Sequence, residues 1–160
     1  MDINIRFAEE RDYNPLCVLS EQGDRLHREQ LPHLFHKPDG PAREWEYIYR
    51  LLEDESTALF VTELGDNLVG YINVMLLRSG SNPLLKPRCY AVIDNLIVDE
   101  DHRMMGVGSA LMARAETWAK EKGAASMELN VYHFNQAAQA LYEQLGYEVV
   151  SSKLSKSLAN

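Results

Sequence analysis

The stretch IDNLIVDEDHRMMGVGSALM, residues 93–112, decides how this chain reads. It opens as an apolar strand, passes a charged turn at 99–103, and enters an amphipathic helix across two glycines, Gly106 and Gly108. Glycine weakens a helix by about 1 kcal/mol relative to alanine, so a pair at a helix start needs a reason. A tight turn is the bland reason. An anion is the other: first-turn amide N–H groups have no intrahelical partner, and the helix dipole adds partial positive charge. Glycine lets a phosphate approach the backbone, and Arg103 brings a full charge. Residues 103–109 therefore suit a diphosphate.

Two common diphosphate designs are excluded. A nucleoside-triphosphate loop needs a lysine after its glycines, and none follows here. A dinucleotide fingerprint needs a third glycine at position 111, which is Leu111, and it opens the first βαβ unit rather than lying two thirds along the chain.

Working outward, 88–98 is apolar on both faces except at Asp94 and Asn95, which predicts a central strand covered on both sides. A helix is predicted over 106–122, with Val107, Leu111, Ala115 and Trp118 on its buried stripe and Gly123 closing it. Upstream, 57–64 and 68–78 read as a hairpin turning at 65–67, and 42–54 as a helix. INIRFA (3–8) is a first strand. Residues 10–23 are expected to form a helix that takes Pro15 in its first turn and ends at Gly23. Residues 24–41 hold three prolines and read as a loop. Downstream, 126–132 is a strand, Asn135 caps a helix to about 145, and 147–158 is expected as a last extended strand. No linker or repeat interrupts 1–160, which is read as a single domain of mixed α/β class with helices on both sheet faces.

The totals narrow the function classes. The chain has 160 residues, 46% hydrophobic and 25% charged, which is ordinary globular composition. No apolar run approaches the roughly 20 residues of a membrane helix, so no membrane partner is expected. A net charge of −8 argues against non-specific nucleic-acid binding and mildly favours a cationic partner. Cys17 and Cys89 have neither metal nor redox spacing, so a reducing cytoplasm is the expected location.

The region from Asp94 to Tyr147 resembles the GCN5-related N-acetyltransferase (GNAT) family. The family's Gln/Arg-x-x-Gly-x-Gly/Ala turn is met by Arg103, Met104, Met105, Gly106, Val107 and Gly108. IDNLIVDEDHR precedes it as the family's apolar strand does. NQAAQALYEQLGY (135–147) is similar to the family's Asn, helix and Tyr-x-x-x-Gly-aromatic phrase. Met104 and Met105 depart from the glycine and basic residue common there. The order of elements matches from about 3 to 158. The resemblance implies a mostly antiparallel, six- to seven-stranded mixed sheet, acetyl-coenzyme A as co-substrate, no metal, and a primary amine on a small molecule or peptide as acceptor. Transfer would be direct, within a ternary complex. A homodimer is among the assemblies it implies, though no residue pattern marks an interface.

It also implies roles. The amides of Met104, Met105, Gly106, Val107, Gly108 and Ser109 would hold the pyrophosphate beside Arg103. Leu96, Ile97 and Val98 would splay from the 126–132 strand, so that their amides bond the pantetheine and polarise the thioester carbonyl. Asn135 would contact the coenzyme as well as cap its helix. Asn135, Ala138 and Tyr142 share one helix face by i, i+3 and i+7 spacing, and Ala138 leaves room for a ligand along it. The leaving thiolate has a conjugate acid near pKa 8.5, and a phenol near 10 can donate to it as charge develops, which is the role expected of Tyr142. Asp94 interrupts an apolar strand two residues before the expected thioester site. It is the candidate to orient or deprotonate the acceptor ammonium. His27, His33 and His36 lie in the expected loop without metal-site spacing. The rival readings are a non-catalytic acyl-coenzyme A sensor of the same fold and a nucleotide-binding regulatory domain.

Overall fold

The computed structural model describes residues 2–160. The chain divides at Asn130/Val131 into two compact units. The first holds a five-stranded sheet in the order β1 (Asn4–Phe7), β2 (Thr57–Leu64), β3 (Asn67–Ser79), β4 (Arg88–Val98), β5 (Met127–Leu129). All neighbours are antiparallel except β4 and β5. The class is the expected mixed α/β, with five strands among the described residues rather than six or seven.

Helices α1 (Tyr13–Gln30) and α2 (Trp45–Glu53) cover one face. Leu16, Leu19 and Ile48 pack there with Leu59, Val61, Tyr71 and Ile97. Helix α3 (Val107–Glu121) covers β2, β3 and β4 with Val107, Leu111, Met112, Ala115, Trp118 and Ala119, all buried. Both faces of β2 and β3 are thus in the core, which explains why these strands are apolar throughout. Each such large side chain contributes about 1.5–3 kcal/mol by leaving water.

Helix α1 runs seven residues past the predicted stop at Gly23. A Cβ at Gly23 would lie 3.0 Å from Ile97 Cδ1, so the glycine is there for close helix–sheet approach, not as a cap. Two ion pairs help hold this part of the helix, Arg28–Glu21 at 2.5 Å and Arg43–Asp24 at 2.7 Å. The helix start is held by Arg6, which bonds both oxygens of Asp12 at 2.7 and 2.9 Å and Glu63 at 2.5 Å.

The second unit, Val131–Asn160, holds α4 (Gln136–Gln144). The strand expected over 147–158 does not form, and Val149, Val150, Leu154 and Leu158 are all exposed. The pattern supplies a reason. Alternate residues 147, 149, 151, 153, 155 and 157 are Tyr, Val, Ser, Lys, Ser and Ser, and in the other set Val150, Leu154 and Leu158 are separated by Ser152 and Lys156. Neither face carries a sustained apolar row to bury.

Candidate active site

The turn after β4 is built by side chains from α1. Asp99 Oδ1 accepts from Gln22 Nε2 at 2.8 Å, its Oδ2 meets His102 Nδ1 at 2.6 Å, and Gln22 Oε1 accepts from the Glu100 amide at 3.0 Å. Arg25 pairs with Glu100 at 2.5 Å. The hydrogen bond from Gln22, then that from His102, holds the Asp99 carboxyl below its ordinary pKa. This bracing aims the backbone that follows. Met104 has φ +61° and Gly106 φ +83°, both left-handed, and α3 starts at Val107.

Among the described residues no side chain caps α3 at Gly106, so the helix opens with uncapped amides. A Cβ on Gly106 would meet nothing within 4 Å, so the space there is open. An uncapped helix start with open space beside it suits an anion. Met104 and Met105 point their side chains to solvent, and Met104 carries its left-handed strain without a glycine. Val107 is 1% exposed, its side chain committed to the core, which leaves only its amide for a ligand. The Arg103 side chain returns to the strand end, donating from Nε to the Val98 carbonyl at 3.5 Å.

The strand expected over 126–132 is shorter, β5 covering only Met127–Leu129, and its pairing with β4 ends where it ends. Pairing of β4 with β5 covers Ala91↔Met127, Val92↔Glu128 and Ile93↔Leu129 and stops. Beyond Ile93, β4 pairs with β3 alone, and its other edge faces no strand among the described residues. The break coincides with a β-bulge: Asn73 faces Asn95 and Val74 faces Ile93, which leaves Asp94 as the extra residue.

The bulge turns Asp94 outward toward α2. Its Oδ2 accepts from Tyr47 Oη at 3.2 Å and from Asn95 Nδ2 at 3.2 Å. Burial and then the Asp94 charge push the Tyr47 phenol up, keeping it a neutral donor. Around it stand Tyr71, bonded to Ser20 at 2.7 Å and pushed up to about 12 by burial, and Arg43, paired with Asp24. Beneath lies Asn73, 1% exposed, with neither Oδ1 nor Nδ2 hydrogen-bonded among the described residues. Its amide comes near the Tyr47 phenol without the geometry of a hydrogen bond. An unpaired buried amide costs about 1–3 kcal/mol. Sequence reasoning missed Asn73, although it interrupts apolar β3 as Asp94 interrupts β4.

In the second unit, Asn135 caps α4 as expected: its Oδ1 accepts from the Ala138 amide at 3.2 Å. Tyr142 is half-buried with its ring 6.0 Å from that of Tyr147, and burial raises its phenol pKa. Ala138 is half-buried on the same helix. The three histidines do not form a cluster in a loop. His27 lies on α1 with Nδ1 2.8 Å from the Gly23 carbonyl, and His36 bonds the Lys37 carbonyl. Cys17 and Cys89 are free, half-buried thiols.

The fold is a mixed α/β one in which β4, unpaired on one edge beyond Ile93 among the described residues, runs into an uncapped, glycine-opened helix. The chain belongs to the acetyltransferase (GNAT) family, whose profile matches residues 21–147. It is 31% identical over 102 residues to the uncharacterized N-acetyltransferase YhfO of Bacillus subtilis, covering 64% of this chain and 66% of that protein. Over 91 residues it is 34% identical to streptothricin acetyltransferase A of the same organism, covering 57% of this chain and 47% of the relative. The chain thus spans about half to two thirds of the length of these relatives. A mutant of the BH1408 protein from Bacillus halodurans shares the fold, with a TM-score of 0.94 at 24% identity over 98% of this chain and 99% of that one.

No described helix is long and apolar enough to cross a membrane.

Proposed function

We propose that the chain is a single catalytic domain that transfers an acetyl group from acetyl-coenzyme A directly to a primary amine. The observation that supports this reading is the edge of β4 left unpaired beyond Ile93 among the described residues, where β5 ends, directly upstream of the braced turn and the uncapped start of α3. It supports a linear ligand: diphosphate against the amides of 104–109, pantetheine along Leu96–Val98, thioester near Asp94.

In the ternary complex, Asp94 orients the acceptor ammonium and receives its proton, directly or through water. The freed nitrogen lone pair attacks the thioester carbon. The amide of Ile97 or Val98 bonds the carbonyl oxygen as negative charge grows on it. The carbon–sulfur bond then breaks, and the leaving thiolate takes a proton, the donor role that the family resemblance implies for the Tyr142 phenol, which solvent would restore. Burial keeps that phenol protonated at neutral pH, as a donor requires. The acidic balance of −8 and the relative named for streptothricin support a cationic small-molecule acceptor.

Acetyl-coenzyme A at about 100 times its Kd should stabilise the fold by about 2.7 kcal/mol, with ATP giving no comparable shift. Thiol release with an amine panel should fall at least tenfold in kcat for Tyr142→Phe, with coenzyme affinity within about twofold. Equal protection by ATP, or an unchanged kcat, refutes the assignment.

A further inference from the structure

Asn73 is the feature this reaction scheme leaves unexplained. It stands in the middle of β3, its register partners Leu59 on β2 and Asn95 on β4, next to the bulge that presents Asp94. Both of its side-chain polar atoms are buried and unpaired among the described residues. Leu59 beside it and Ile48 of α2 are apolar and buried, so the fold offers it no partner on the core side. Its polar neighbours lie on the other side, at Tyr47, Asp94 and Asn95. The piece above it is the Tyr47 ring, 37% exposed, on a nine-residue helix whose N-terminus has no side-chain cap. One 3.2 Å hydrogen bond to Asp94 tethers that phenol.

We propose that Asn73 is an acceptor-binding residue: when Tyr47 yields its bond to Asp94, the Asn73 carbonyl oxygen takes one N–H of the incoming amine. The proposal rests on the reading that Asp94 faces the acceptor. Its chemistry is complementary. A primary ammonium has three N–H bonds. One proton passes to Asp94, one N–H is held by Asn73 Oδ1, and the lone pair so exposed is aimed by the two that remain. The negative charge of Asp94, with the neighbouring Arg43 already paired to Asp24, selects an ammonium over an alcohol. The depth of Asn73 selects a nitrogen carried on an unbranched CH2 over one on a branched carbon. The substrate class is therefore an unhindered alkyl ammonium, such as a polyamine or aminomethyl sugar, rather than the α-amine of a peptide.

Asn73→Leu, close in volume and without polar atoms, separates this from a structural role. Thermal unfolding and steady-state kinetics are measured on the full chain, with spermidine, 1,3-diaminopropane and alaninamide as probes. The variant is expected to melt about 2–4 °C higher, because an unpaired buried amide is gone. It should also raise the KM of the two polyamines at least tenfold while leaving that of acetyl-coenzyme A within twofold. Tyr47→Phe, which removes the bond to Asp94 that must yield, should lower polyamine KM. An Asn73→Leu variant that melts lower than wild type, or keeps its polyamine KM, overturns the proposal, as does a wild type that prefers alaninamide. If no amine releases thiol although acetyl-coenzyme A protects the fold, the acetyltransfer reading fails instead. The melting point of Asn73→Leu still judges whether the amide is unpaired.

Discussion

Replacing Gly70 by alanine tests how tightly the coenzyme-facing strand is built into the core. Gly70 sits on β3 opposite Val98, and its backbone is not in the left-handed region, so alanine fits its conformation. The cost is therefore steric. The new Cβ would lie 3.0 Å from the Ile97 carbonyl oxygen, 3.1 Å from Val107 Cγ1 and 3.2 Å from Leu111 Cδ1. The two side-chain tips can give way by a few tenths of an ångström. The carbonyl moves only if β4 moves, at the residues proposed to bond the pantetheine. Overpacking of this kind costs about 1–3 kcal/mol, which for a chain this size lowers Tm by about 2–12 °C. Acetyl-coenzyme A affinity should fall by about three- to tenfold, measured by calorimetry below the melting range. Gly65→Ala is the control. Its φ is +61° and its Cβ would meet nothing within 4 Å, so it should cost about 1 kcal/mol and leave affinity unchanged. A Gly70→Ala protein with wild-type Tm and wild-type affinity would refute the argument that β3, β4 and α3 are in rigid contact there.

Met104 adopts φ +61° with its side chain in solvent, so Met104→Gly should relieve about 1 kcal/mol of strain and raise Tm by about 2–4 °C in differential scanning calorimetry. Asp99 has a folded pKa below its ordinary value, so its contribution to stability is complete above about pH 4 and is lost as pH falls through the depressed value. Asp99→Asn should flatten the acid limb of a Tm-against-pH series below about pH 4. It should also weaken acetyl-coenzyme A binding at pH 7, because Gln22 and His102 lose the carboxylate they meet.

Much of the candidate site is legible in the amino-acid order. The turn from Arg103 to Gly108 follows from local rules, since glycine at a helix start and amides without partners are properties of a few adjacent residues. The cap at Asn135 is equally local, and the hydrogen bond to Ala138 is where that rule puts it. The interruption at Asp94 marks a site because a charged residue in an apolar strand has to face something other than the core.

Other features are consequences of distant segments meeting. The helix running through Gly23 needs Ile97, seventy-four positions away, to explain why a glycine belongs there. The solitary amide of Asn73 acquires meaning only when the register opposes it to Asn95 and α2 lays Tyr47 nearby. The missing strand at 147–158 follows the same logic from the other side, because a strand exists through the partner that satisfies its backbone. Sequence alone determined the fold class, the glycine-opened turn after β4 and the cap at Asn135, where the deciding interactions span a few residues. The tertiary structure alone decided the bulge that presents Asp94, the end of β4–β5 pairing at Ile93 and the bracing of the turn by α1. Those depend on which remote hydrogen-bonding groups pair and which are left over.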